Sequence, residues 1–144
     1  MEGTARRTPG ISLEDLFLRA AAGLPENDGR AEVVARALGH LQRGFDAHYG
    51  RGPEGATDDE VLVGDNAYAL AVETIARLDE PRFVAVASRM IRDGAGRIAA
   101  EEPVSVETWT PHLADLLDIV SGEGARKSEE RVREAARELR DGFR

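Results

Sequence analysis

Four carboxylates stand close together in the middle of this chain. Asp58, Asp59 and Glu60 form a triplet, and Asp65 follows in the string VLVGDNAYALAVETIARL, Val61 to Leu78. Carboxylate oxygens hold Mg²⁺, so Asp58, Asp59 and Asp65 could form a metal cluster and serve a stand-alone enzyme acting on a diphosphate. The same triplet at a helix N-terminus would instead complement the helix dipole. Asp65 falls three or four positions from Val61, Leu62, Tyr68 and Ala69, so helical spacing is expected to point it into the apolar stripe. A carboxylate there needs a partner, and a hydrogen bond to a neighbouring helix or a Tyr hydroxyl would supply one.

The other reactive side chains do not converge in sequence. His40 and His48 are eight residues apart, Asp46 lies near His48, and His112 is remote. Metal ligands on one helix are expected a single turn apart, and no HExxH spacing occurs. No nucleophile elbow, Walker loop or dinucleotide fingerprint is present, and Gly50, Gly52 and Gly55 are irregularly placed for cradling phosphate. No residue is assigned a catalytic role.

The elements that must position these groups are helices. The 144 residues suffice for one domain with its own core, and there is no cysteine for disulfides or thiolate metal sites. A net charge of −8 argues against nucleic acid as a principal partner. The longest apolar run, Ala67 to Val72, is too short to span a bilayer, so a cytoplasmic protein rather than an integral membrane protein is expected. Of the 19 basic residues only Lys127 is lysine, a skew suggestive of GC-rich coding.

Periodicity is helical throughout, which predicts an all-α, single-domain antiparallel bundle of about six helices over 1–144, with 1–10 as a disordered tail. Ser12 with Asp15 opens the first helix, to about Ala22, and Gly23 and Pro25 stop it. Asn27 or Asp28 caps the second, reaching about His48. Thr57 and Glu60 form a capping box for the third. Asp79 caps the fourth, with Pro81 in its first turn and Pro103 closing it. Thr110-Pro111 begins the fifth, through Val120. Ser128 opens the last, with Phe143 on its inward face. The predicted core includes Leu38, Leu41, Phe45, Leu62, Tyr68, Val72, Ile75, Phe83, Met90, Leu113, Leu117 and Leu139.

The string VLVGDNAYALAVETIARL, followed by a helix ending MIRDGAGRIAAEE, resembles the middle of the trans-polyprenyl diphosphate synthases, where a Leu-x-Gly-Asp helix follows the first Asp-rich motif. WTPHLADLLDIVSGEGA resembles the helix that carries a Lys-Thr pair in that family. SEERVREAARELRDGFR resembles the helix leading to the second Asp-rich motif. The likeness runs from about Ala31 to Arg144 and implies the family's all-α, isoprenoid-synthase-like fold in truncated form.

Against that pattern, FDAHYGRGPEG stands where DDxxD binds Mg²⁺, the Lys-Thr pair is missing from Trp109 to Gly122, and the second Asp-rich motif would begin at about Arg144. The resemblance therefore implies the small, non-catalytic subunit of a heterodimeric enzyme. It would have no cofactor of its own, Mg²⁺ would reside in the catalytic polyprenyl diphosphate synthase subunit, and the pair would make a respiratory quinone side chain. Gly64, Ala67 and Ala71, with Asp65 held by a hydrogen bond, are the expected partner interface; tight packing inside the bundle is the alternative use of those small residues. A helical interaction module or homodimer unrelated to prenyl chemistry is the rival reading.

Overall fold

The computed structural model describes residues 10–25 and 29–141. Among these it contains six α-helices, one short 3₁₀ turn at Gly52–Glu54, and no strand. The helices are α1 (Leu13–Ala21), α2 (Arg30–Tyr49), α3 (Asp58–Ala76), α4 (Pro81–Ala99), α5 (Val106–Ser121) and α6 (Ala125–Asp141). Residues 1–9 of the expected tail, the Asn27 and Asp28 caps, and Phe143 lie outside the described residues.

Each helix packs on the next and α6 returns onto α1, forming a bundle. Residue pairs set the directions. The Leu13 amide donates to Gln42 Oε1 at 2.8 Å, and Gln42 Nε2 donates to the Ile11 carbonyl at 3.1 Å. With Gly39 beside Glu14, that runs α1 antiparallel to α2. His48 against Val61 with Gly44 against Gly64 does the same for α2 and α3, and Asp93 against His112 with Arg89 against Asp115 for α4 and α5.

Starts follow local chemistry. The Ser12 hydroxyl accepts from the Asp15 amide, and the Thr57–Glu60 box is formed in both directions, as the sequence leads one to expect. Four starts differ. Gly29, not Asn27 or Asp28, is the N-cap of α2, at a left-handed φ of 77° and with no side-chain cap. Glu80, not Asp79, caps α4: Pro81 forces its predecessor into extended backbone, and Asp79 takes the left-handed φ of 54° that turns the chain. α5 begins a turn before Thr110-Pro111, because the Ser105 amide donates to Thr108 Oγ1 at 3.1 Å and closes an earlier start. The Thr110 hydroxyl bonds the Val106 carbonyl instead, and Pro111 stands inside the helix. α6 begins at Ala125, leaving Ser128 fully buried within it.

The core confirms Leu38, Leu41, Phe45, Ile75, Phe83, Met90, Leu113 and Leu117 as buried. Tyr68 and Leu139 are half-buried against it, and Val72 is also half-buried. Leu62 is a correction: it is 67% exposed. Trp109, unassigned in the sequence, is the largest fully buried side chain, set edge-on to Phe45 at 5.3 Å. Gly94 makes room for both rings, since a Cβ there would collide with them.

Candidate docking face on the third helix

The crossing of α2 and α3 explains how the Gly-Asp pair is used. Gly44 and Gly64 meet there: a Cβ on Gly64 would come within 3.1 Å of the Gly44 carbonyl, and one on Gly44 within 3.0 Å of the Gly64 carbonyl. Without side chains the two backbones approach closely, and the His48 and Tyr68 rings fill the space on either side. The rings pack edge-on at 5.1 Å. Ala67 and Ala71 extend the same buried stripe, 3% and 1% exposed.

That placement corrects the expected interface. Gly64, Ala67 and Ala71 are spent inside the chain, where the small-residue stripe lets α2 approach, so they are not surface for a partner. Asp65 is corrected in the opposite sense. It lies at the surface with its side chain 62% exposed, its Oδ1 3.1 Å from His48 Nε2. His48 Nε2 is also 3.2 Å from the Val61 carbonyl. The Val61 carbonyl can only accept, so Nε2 carries the hydrogen and donates to it, and the Asp65 carboxylate stands beside that ring as a close electrostatic contact. Asp65 therefore has its nearest partner on α2, the His48 imidazole, while Tyr68's hydroxyl is covered with no partner among the described residues. Burial first, then the nearby Tyr49 and Asp65, pushes the Tyr68 phenol well above its ordinary range.

The carboxylate triplet does capping work. Glu60 accepts from the Thr57 amide at 2.8 Å and from Arg51 Nε at 2.6 Å. The Arg51 bond, then the Thr57 amide, lowers the Glu60 carboxyl to about 2. Asp58 and Asp59 are exposed in the same first turn. The alternative metal set of Asp58, Asp59 and Asp65 is not assembled: among the described residues no three His, Cys, Asp or Glu side chains converge as metal ligands. These residues do not fit a metal centre.

The histidines are likewise occupied separately. Arg43 donates to His40 Nδ1 at 2.9 Å; burial first, then that guanidinium, lowers the imidazole's pKa. His112 Nε2 lies 2.9 Å from Asp93 Oδ2 across α4 and α5. A groove of about 560 Å³ between α1 and α6 is lined by Arg19, Lys127, Arg131 and Arg137 together with Glu130, Glu134 and Glu138. Each of those arginines is paired with a glutamate, Arg19 with Glu138, Arg131 with Glu123, and Arg137 with Glu134. The groove is therefore no concentrated anion site.

What remains unspent is the opposite side of α3. Val61, Leu62 and Val63 are 39%, 67% and 53% exposed, and Asn66, Ala69 and Glu73 continue the exposed surface down the helix. The helix carries apolar residues on both sides and uses only one within the chain. The sequence did hold the signal. Three consecutive apolar residues sweep roughly 200° of a helix at about 100° per residue, so they cannot all face one neighbour.

No protein-family model, curated protein or solved structure matches this chain. No helix among the described residues is long and apolar enough to cross a membrane.

Proposed function

We propose that this chain is a non-catalytic helical subunit that acts by docking the outward face of α3 on a partner protein. The observation that carries this reading is the exposed Leu62-Val63 pair, which stands on a helix whose other side is already packed. Contiguous exposed apolar surface of this kind marks interaction sites. A net charge of −8 disfavours two copies meeting face to face, which favours a different partner over a homodimer.

The resemblance supplies the partner's class: the catalytic subunit of a trans-polyprenyl diphosphate synthase. Its Mg²⁺ would be carried by that subunit's Asp-rich motifs, and this chain would support the elongating product. The structural use of the Gly-Asp pair fits a relative that keeps the motif without its catalytic setting. Gly64 permits the α2 crossing and Asp65 stands against His48, and neither task needs a metal.

The test is co-expression with a polyprenyl diphosphate synthase chain of the same organism carrying both DDxxD motifs. A stable complex should co-purify, prenyl transfer should appear only on mixing, and Leu62→Asp should abolish both. Failure to recover any complex overturns the partner assignment. Assembly undisturbed by Leu62→Asp overturns the docking face.

A further inference from the structure

The docking face has a distinctive electrostatic frame. On a helix the surface neighbours of a residue are those three and four positions away. For Leu62 these are Asp58, Asp59, Asp65 and Asn66, all exposed. Three carboxylates therefore ring the most exposed apolar side chain of the molecule's described residues. α3 contains no basic residue to answer them. Among the described residues Asp58 and Asp59 make no ion pair, and the nearby Arg51 is engaged by Glu60. Favourable interaction with the helix dipole accounts for Asp58 and Asp59 in the first turn but falls off before Asp65, whose Oδ1 stands 3.1 Å from His48 Nε2 while its side chain stays 62% exposed.

Resting on the docking reading above, we infer that the element received by this face is an amphipathic helix whose apolar stripe is edged with lysine or arginine. The apolar stripe would be centred on Leu62, and the basic edges would lie against Asp58 and Asp65 on one flank and Asp59 on the other. A helix edged with glutamate would bring like charges together around a desolvated leucine, which excludes it. Opposite charges at such a rim act chiefly on encounter rate and choice of partner, so the association is salt-sensitive.

Two synthetic helical peptides test this, sharing one Leu/Ala stripe and differing only in lysine or glutamate edges. Binding to the full chain is followed by fluorescence anisotropy and by amide shifts along α3. The lysine-edged peptide should perturb amides from Val61 to Ala69, weaken about tenfold between roughly 50 and 500 mM salt, and weaken about fivefold on Asp58→Asn/Asp59→Asn. The glutamate-edged peptide should not bind, and Leu62→Asp should eliminate binding of the first. Circular dichroism of the variants checks that α3 remains folded. Equal binding of both peptides, no binding of either, or a double Asn variant indistinguishable from the parent overturns the charge selection. The docking reading stands or falls separately, on whether Leu62→Asp prevents assembly with the catalytic subunit.

Discussion

His48 on α2 lies directly over Gly64 on α3, its Nε2 held between the Val61 carbonyl and Asp65. The histidine occupies the place a side chain at 64 would take. Gly64→Ala should consequently drive the imidazole out of its hydrogen bond to the Val61 carbonyl and press on the Gly44 carbonyl. The expected cost is about 1–3 kcal/mol, larger than the roughly 1 kcal/mol of helix propensity that alanine gains over glycine. Urea unfolding checks the sign. Adding His48→Ala should recover part of the loss, because the overlapping ring is gone; additive effects of the two changes would show that they do not compete for one space.

Gly94 and Gly96, two residues apart on α4, should respond to alanine in opposite directions. A Cβ on Gly94 would run into the buried rings of Phe45 and Trp109, whereas one on Gly96 meets nothing within 4 Å. Gly94→Ala should destabilise by about 1–3 kcal/mol through overpacking. Gly96→Ala should stabilise by about 0.5–1 kcal/mol, since helix propensity is all that changes. Thermal midpoints moving the same way in both variants would contradict the packing at Gly94.

The Asp93–His112 contact predicts a loss of stability in acid. The His112 hydrogen bond first, with Arg97 also contributing, holds the Asp93 carboxyl below its ordinary value of 3.8. A carboxyl depressed in the folded state contributes stability above its unfolded pKa, and that contribution fades as pH falls from there through the folded pKa. Asp93 is about one-third exposed, so the effect should stay below about 1 kcal/mol. Unfolding midpoints of the parent and Asp93→Asn should differ most near neutral pH and converge below about pH 4. A constant gap across that range would show that the charge is not responsible.

Helix number and most boundaries were legible because start signals are local. Ser12, Thr57-Glu60 and Pro81 act within a few residues, and the structure uses all of them. The start of α5 was missed because Thr110-Pro111 is a stronger pattern than Ser105 with Thr108, although only the latter bonds the orphan amide. The candidate site was half legible. Gly64, Ala67 and Ala71 do permit a close helix, but which helix depends on Gly44 lying opposite, a long-range fact that periodicity does not contain. Leu62 was misplaced for the same reason: α3 offers two apolar sides, and α2 took the one with the smallest residues.

The last prediction separates stability from association. Leu62 lies on the outer side of α3, so Leu62→Ala should change unfolding free energy by no more than about 0.5 kcal/mol. Phe83→Ala, at a fully buried site, should cost about 3–5 kcal/mol, and Leu117→Ala about 2–5 kcal/mol. In assembly with the proposed partner the order should reverse. Leu62→Ala and Val63→Ala should weaken the complex although each free chain is as stable as the parent. Asp65→Asn should keep the assembled activity within about tenfold, because Asp65 stands at the surface beside His48 and belongs to no assembled set of metal ligands among the described residues. Size-exclusion chromatography with light scattering reads the first effect and prenyl transfer the second. Leu62→Ala that unfolds the chain would place the residue in the core, and an Asp65→Asn complex that assembles but is inert would assign that carboxylate to the chemistry.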